Sequence, residues 1–536
     1  MGYTLSAKMN NRLNYWHESD QITVIPRHAG HHHTVNIKYG YFVLVISILH
    51  ILSISLRKWI YFKNWGATGK SRSPWRLLTQ IPICIAVVGW ATIFAVIGVY
   101  NIEHLSENYV TAVKRFGRLA YASLPFLIFL VLRPANIAGF QIGYYLEVLN
   151  LHKWISRLVA LASVLHGVGF FYKWTVEGVL LSKLRIFDNF LGVIVFVLSI
   201  VLVIVSVRYL RRKNYQVFYV IHNATAWSFV FLISFHARPG VTAIAILNVL
   251  LLMYQLYERF LICYSVQDIS IVENIPHSSL QIIRVARPVT FPAYLAGSHI
   301  RLGYPATNIS AWLLPTHPFT LASVNDENDT TLDLIVKKPT NFPIDITTSY
   351  NLTGPFPSLP PQFFNTAKQV SIVCGGSGIS FGLPIFKYFS GNNRSIPIRL
   401  IWCVRSQEDM FILDHLLPNC PDNVHIYVTG VGNGSSSQQA TTTLFDEEAD
   451  GLLSGEGTDI ELSDLQGSKE RGEKKGSFSV NLGRPVLDEV LADVVANEES
   501  LDERWLISCG PRGLISHCKD WSSGKDFQFF SELYEM

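Results

Sequence analysis

Four histidines stand at a spacing that suits metal chemistry. Two apolar stretches, LHKWISRLVALASVLHG and IHNATAWSFVFLISFHA, each carry a histidine near the start and another fourteen positions later: His152 with His166, and His222 with His236. At about 100° and 1.5 Å per helical residue, fourteen steps bring the chain to within roughly 40° of its starting direction and raise it by roughly 21 Å. Each pair therefore lies on one helix face. Two such helices side by side would stack two histidine pairs through an apolar layer roughly 30 Å thick, a ladder for two six-coordinate haems. A single histidine on an apolar face is more often a hydrogen-bonded core residue. Four at matched depth are hard to explain as packing, because an ionisable group inside a membrane costs roughly 2 kcal/mol or more.

The elements that must position them are membrane helices. The chain has 536 residues, 49% hydrophobic and 16% charged, where a soluble domain carries nearer a quarter charged residues, so a membrane part joined to a soluble part is expected. Apolar segments run over 39–57, 81–100, 118–132, 152–172, 189–208, 215–236 and 241–261, which reads as seven spans with the third short. Arg57, Lys58, Lys63, Lys70, Arg72 and Arg76 follow the first span, and Arg208, Arg211, Arg212 and Lys213 follow the fifth. By the positive-inside rule both links are cytosolic, so the N-terminus lies outside or in a lumen and everything after about residue 262 is cytosolic. His152 and His222 then share the inner level, and His166 and His236 the outer. Arg133, Lys153, Arg157 and Arg238 near the span ends suit haem propionates or, equally, snorkelling to the interface.

A net charge of +4 makes no case for nucleic acid. Seven cysteines without a CxxC pair argue against zinc, an iron–sulfur cluster or a disulfide framework, and fit a reducing compartment for the C-terminal half. Residues 1–38 are polar, lack the apolar run of a cleaved signal peptide, and read as a solvated tail. Their His28, His31, His32 and His33 offer metal capture as the less favoured alternative.

Past the membrane part, the runs ISIVENI, LQIIRVARP, SHIRLGYP and LDLIVKKP alternate in the manner of a small antiparallel β-barrel. Inside it lies THPFTLAS, where a threonine hydroxyl can bond a flavin ring, an aromatic can pack beside it, and the preceding histidine can meet a phosphate. From about 366 the strand QVSIVC runs into GGSGIS and a helix, a strand–glycine–helix cradle for phosphate. The next strand, IRLIWCVRS, ends at Arg405, within reach of a ribose 2′-phosphate. Residues 431–480 are rich in Ser, Gly, Glu and Lys and read as a disordered insertion. A helix over VLDEVLADVVA, the strand RWLISCGP and the aromatic tail DFQFFSELYEM close the chain.

Taken in this order, the paired histidines, THPFTLAS, GGSGIS and SCGP resemble a fungal ferric reductase of the ferric reductase/NADPH oxidase superfamily, nearest to the yeast probable metalloreductases named for altered inheritance of mitochondria. The NIKYGYFVL lead-in to the first span and the LRP at Leu132 to Pro134 add to that likeness. The resemblance implies a transmembrane bundle (39–262), an FAD-binding β-barrel (263–365) and an NADPH-binding α/β domain (366–536) of ferredoxin reductase type. It implies His152, His166, His222 and His236 as ligands of two b-type haems. It implies His317, Pro318, Phe319, Thr320 and Ser323, with His299 on the neighbouring strand, at FAD. Gly375, Gly376, Ser377, Gly378 and Ile379 would hold NADPH, with Arg405 selecting it and Cys509, Gly510 and Pro511 near the nicotinamide.

There are two departures. The family's Gly-x-Thr turn is replaced by PTNFPIDITT, and GPFP lacks a second glycine, so looser flavin and nucleotide binding is expected. The activity implied is transfer of electrons from cytosolic NADPH through FAD and both haems to Fe³⁺ or Cu²⁺ chelates across the plasma or endoplasmic reticulum membrane, with no side chain acting as catalytic acid or base. Superoxide production from O₂ is the rival, and a non-catalytic membrane scaffold the reading from another class.

Overall fold

The computed structural model describes residues 29–64, 83–132, 145–430, 474–475, 478–494 and 504–532, apart from 239, 273–274, 327, 339–341, 343, 360, 392–395, 419–420, 493 and 526. It divides into two compact units that meet in sequence between Leu261 and Ile262. Most of the N-terminal tail and of the 431–480 insertion, Arg133, and most of the PTNFPIDITT turn's first half lie outside the described residues.

Among the described residues the regular elements of the first unit are helices, as suits apolar runs where no water is present to satisfy the backbone. Its elements are α1 (Ala29–Asn64), α2 (Ile83–Val99), α3 (Tyr109–Ala122), α4 (Leu124–Val131), α5 (Tyr145–Val176), α6 (Leu180–Leu184), α7 (Phe187–Val205), α8 (Arg208–Lys213), α9 (Tyr215–His236) and α10 (Thr242–Phe260). Stretches of α1, α5, α7, α9 and α10 are long and apolar enough to cross a membrane, and α2 is a shorter apolar helix. The third apolar segment is longer than its hydropathy suggests: the helix begins at Tyr109 and is broken at Ser123, next to Pro125, into α3 and α4. Its first turns escape a hydropathy reading because they carry Lys114, Arg115 and Arg118. Arg115 is nevertheless buried, donating through Nη1 to the carbonyls of Ile97 and Tyr100 and lying over the Tyr39 ring.

The second unit begins at β1 (Tyr264–Val266). It continues through β2 (Ile269–Ile271), β3 (Leu280–Ala286), β4 (His299–Gly303), α11 (Ile309–Leu313), β5 (His317–Thr320), β6 (Thr331–Lys337) and β7 (Tyr350–Phe356). These strands form two antiparallel sheets, β1-β7-β4-β5 and β2-β3-β6, joined by a bridge between Leu321 and Leu334. Their apolar positions meet in one core around Ile300, Leu302, Leu332, Leu334 and Leu352.

After α12 (Pro361–Thr366) comes the nucleotide-type sheet: β8 (Gln369–Gly375), α13 (Ile379–Gly391), β9 (Ile398–Val404), α14 (Phe411–Leu416), β10 (Val424–Val428), β11 (Lys474–Lys475), β12 (Phe478–Leu482), α15 (Leu487–Val490), β13 (Arg504–Cys509), α16 (Arg512–Ser523) and β14 (Gln528–Glu532). The strand order is β11-β12-β10-β9-β8-β13-β14, parallel except for β11. Every residue of β8 is buried, as a central strand covered on both faces requires. The helix expected over VLDEVLADVVA is present as α15, and Ala492 and Val494 beyond it are helical too, residues 493, 495 and 496 lying outside the described residues. Strand side chains meet two carbonyls of this stretch: Arg399 donates to Val490 O and Gln369 to Val494 O.

Candidate functional site: paired histidines, a histidine–threonine strand and a glycine turn

The four histidines come together in two pairs. The His152 and His222 ring centres are 6.2 Å apart, and those of His166 and His236 are 6.1 Å apart. An imidazole nitrogen lies about 1 Å from its ring centre and about 2 Å from a bound metal, so two rings on opposite sides of one metal ion have centres about 6 Å apart. The residues therefore fit a bis-imidazole metal. Three of the rings are also oriented by the backbone. Nδ1 of His152 lies 3.0 Å from Leu127 O, Nδ1 of His166 2.8 Å from Val113 O, and Nδ1 of His236 2.6 Å from Asp188 O. A carbonyl only accepts, so Nδ1 carries the proton in each and Nε2 keeps its lone pair free for a metal. Nδ1 of His222 is buried and without a hydrogen-bond partner among the described residues.

The helices explain the spacing. Helices α5 and α9 each pack on α7 rather than closely on each other, and α3 and α4 pack on α5, which leaves a layer between the two histidine helices. Asn214 caps α9, its side chain accepting from Val217 N at 3.1 Å, which sets where the helix starts and hence the depth of His222. Two glycines make room for the His166 and His236 rings. A Cβ on Gly117 of α3 would lie 2.5 Å from His166 Nδ1, and one on Gly192 of α7 would lie 2.5 Å from His236 Cε1. Of the basic residues expected near the span ends, Lys153 donates to Asn150, while Arg157 and Arg238 lie over the rings of Trp154 and Phe235.

In the second unit, β5 carries His317 to Thr320 and pairs antiparallel with β4, setting His299 opposite Thr320 and Arg301 opposite Pro318. Side chains alternate along a strand, so His317 and Phe319 share one face and Thr320 takes the other. Phe319 is buried in the domain core against Phe342. His317 stacks on Phe342 with ring centres 4.4 Å apart. Burial, and after it the charge of Arg301, push the His317 imidazole down to about 4. It is therefore neutral at pH 7, and the cation at this end of the motif is Arg301, which donates to the Thr316 hydroxyl at 2.7 Å and to its carbonyl. Ser323 is buried and hydrogen-bonded to Tyr294 OH at 3.0 Å, and His299 packs on Phe356.

At the carboxyl edge of the parallel sheet, Gly375 ends β8 and a 3₁₀ turn over Gly376–Gly378 leads straight into α13. Gly376 has φ +52°, and a Cβ on Gly378 would meet Cys509 O at 2.3 Å. Here the glycines serve both the turn and the close approach of two chain segments. Trp402 donates its indole N–H to Gly376 O at 3.0 Å. Cys509 ends β13 beside Cys374, with Gly510 and Pro511 packed on Gly375. Ser377 stays partly accessible, whereas Ile379 is fully buried in the core. Arg405 follows β9 on the same edge and is exposed. The Cys509 thiol is held far above its usual range by burial, and further by neighbouring Cys374 and Glu532, so it is a neutral thiol. Glu532, opposite Cys509 in register on β14, accepts from Ser358 Oγ at 3.2 Å, and burial pushes its carboxyl up to about 7. Sequence reading passed over Glu532 and the two glycines. An isolated glycine inside an apolar helix, as in KRFGRL and NFLGVIV, was the one local hint of a close approach.

The chain matches three family models: the ferric reductase like transmembrane component over residues 116–233, an FAD-binding domain over 265–351, and the ferric reductase NAD binding domain over 367–523. A Scheffersomyces stipitis protein named probable metalloreductase AIM14 is 58% identical over 512 residues, 95% of this chain and 97% of its own. A Candida tropicalis protein of the same name is 44% identical, over 96% of this chain and 99% of its own. Among solved structures, a flavohemoglobin from Malassezia yamatoensis aligns over 94% of this chain and 99% of its own at 13% identity and a TM-score of 0.35, too distant to bear on the site. With several long apolar helices ahead of FAD- and NAD-binding domains, this multi-pass membrane oxidoreductase belongs to the fungal ferric reductase family, in the yeast probable metalloreductase subgroup.

Proposed function

We propose that the chain carries electrons from cytosolic NADPH across a membrane to Fe³⁺ or Cu²⁺ chelates, using FAD and two b-type haems. The observation that carries this reading is the pair of 6.2 and 6.1 Å histidine contacts, stacked at two levels of α5 and α9. Bound flavin would split a hydride into single electrons and bound haem would carry them one at a time. In this reading His152 and His222 would hold the inner haem and His166 and His236 the outer, each through two imidazoles, so that the bound groups would relay electrons rather than take up substrate. The Nδ1 bonds to Leu127, Val113 and Asp188 keep three of the ligands in the coordinating tautomer.

The membrane part covers 39–262 with seven crossings, α3 and α4 together making the third, and the C-terminal part is cytosolic. In 263–365, folded as a barrel, Thr320, Ser323 and His299 face the flavin, with the charge of Arg301 beside Pro318 serving phosphate where neutral His317 cannot. In 366–536 the N–H groups of Gly376 to Gly378 cradle the dinucleotide phosphates, Arg405 takes the 2′-phosphate, and Cys509 to Pro511 border the nicotinamide as an uncharged wall. That its relatives are named probable metalloreductases favours a metal acceptor over O₂. The test is NADPH-driven reduction of a ferric chelate by membranes containing the protein, with and without superoxide dismutase. Dismutase-insensitive reduction is expected. Reduction abolished by dismutase would make O₂ the acceptor, and no reduced-minus-oxidised haem signal would leave only a scaffold.

A further inference from the structure

Asp409 is buried, with 1% of its surface exposed. It lies in the part of the chain that matches the NAD-binding domain, yet its carboxylate is bonded by two serines of the FAD-binding part. Oδ1 accepts from Ser278 Oγ and from the backbone N–H of Ser279, each at 2.8 Å, and Oδ2 accepts from Ser279 Oγ at 2.9 Å. A buried carboxylate is tolerated only when it is so satisfied, and its bonds are charge-assisted and correspondingly strong.

What this anchor holds is the segment that bears Arg405. Only residues 405–410 connect β9 to α14, and Asp409 sits in the 3₁₀ turn Gln407–Met410 at the far end of that connection. At the near end β9 is fixed in the sheet, and Thr429 N donates to Val404 O at 2.8 Å. Arg405 therefore hangs between two anchors, one in its own sheet and one in the flavin part. The second leads on toward the flavin strand: Ser279 precedes β3, β3 pairs with β6, and Leu334 of β6 bridges to Leu321, the residue after Thr320.

We propose that Asp409 is a positioning residue for a 2′-phosphorylated dinucleotide: tied to Ser278 and Ser279, it sets where Arg405 stands relative to the flavin motif. This rests on the reading of Arg405 as the 2′-phosphate partner. Asp409→Asn keeps the side chain's size but removes the negative charge that strengthens all three bonds and turns Ser279 Oγ from donor to acceptor, so the tether weakens while the core stays filled.

The experiment measures binding of 2′,5′-ADP and of 5′-AMP to the full-length, detergent-solubilised protein by calorimetry, alongside FAD content and the haem spectrum. Asp409→Asn is expected to weaken 2′,5′-ADP about tenfold (about 1.4 kcal/mol) and 5′-AMP less than about twofold, with FAD and haem unchanged. The KM for NADPH should rise in parallel at constant kcat. Ser279→Ala, which removes one of three donors and keeps its backbone N–H, should show a smaller loss of the same kind, and it decides the matter if Asp409→Asn loses FAD. Wild-type binding of 2′,5′-ADP in both variants, or equal weakening of both nucleotides, would overturn the proposal. Arg405→Ala separates the two ideas: if it binds 2′,5′-ADP as wild type does, the reading of Arg405 fails; if it loses binding while the Asp409 and Ser279 variants keep it, only the tether fails.

Discussion

Gly117→Ala tests the histidine ladder without touching a histidine. The added Cβ would lie 2.5 Å from His166 Nδ1, 2.7 Å from its Cε1 and 2.8 Å from its Cγ, against an ordinary contact of 3.4 Å or more. The ring or helix α3 must move by about 1 Å, and overpacking of that kind costs about 1–3 kcal/mol. The movement also strains the 2.8 Å bond to Val113 O that holds the ring's tautomer. On the proposed reading, strain that falls on His166 lowers affinity for the haem it would hold with His236 by about 5-fold to 150-fold, at 1.4 kcal/mol per tenfold. The His152 and His222 pair, whose His152 is held by Leu127 O, is untouched. Haem per chain, measured by pyridine haemochrome on purified protein, should fall from two toward one, with the remaining haem keeping its spectrum and potential. Gly89→Ala in α2, where an added Cβ meets nothing within 4 Å, is the control and should retain both. Two haems with wild-type spectra and potentials in Gly117→Ala would refute the claim that this glycine makes room for a haem-holding His166.

Three other outcomes are expected. Arg405→Ala should raise the KM for NADPH and leave that for NADH nearly unchanged, so that the two cofactors become comparable in steady-state assays; a uniform rise for both would show a fold defect instead. Gly378→Ala, whose Cβ would press on the backbone oxygen of Cys509 at 2.3 Å, should cost about 1–3 kcal/mol of nucleotide affinity or domain stability, and wild-type NADP⁺ binding with unchanged melting would contradict the close approach. The folded protein keeps His317 neutral down to about 4, whereas an unfolded imidazole protonates near 6.5. Stability from this group is thus intact above 6.5 and is lost as pH falls toward 4, by about 2 kcal/mol after allowing for its partial exposure. The melting difference between flavin-free wild type and His317→Gln should shrink between pH 7 and pH 5, and a pH-independent difference would dismiss the effect.

Much of the candidate site was legible because its signals are local. The fourteen-residue interval follows from helix periodicity alone, and GGSGIS and THPFT lie on contiguous residues whose strand and turn propensities agree. The extent of the third apolar segment was less legible, since Lys114, Arg115 and Arg118 lower its hydropathy while Arg115 is satisfied by carbonyls of another helix.

By itself, the sequence determined which residues are able to ligate, at what axial spacing, and in what order the membrane, flavin and nucleotide parts follow. Those properties depend on composition and on backbone geometry repeated along one segment. Only the tertiary structure set the ring separations of 6.2 Å between His152 and His222 and 6.1 Å between His166 and His236, and decided that Gly117 and Gly192 yield space to the His166 and His236 rings, that Phe319 packs on Phe342 in the core, and that Asp409 is held by Ser278 and Ser279. Each is a contact between residues far apart in the chain, set by which helix packs on α7 and which strand pairs with β4, and no periodicity within one segment encodes its partner.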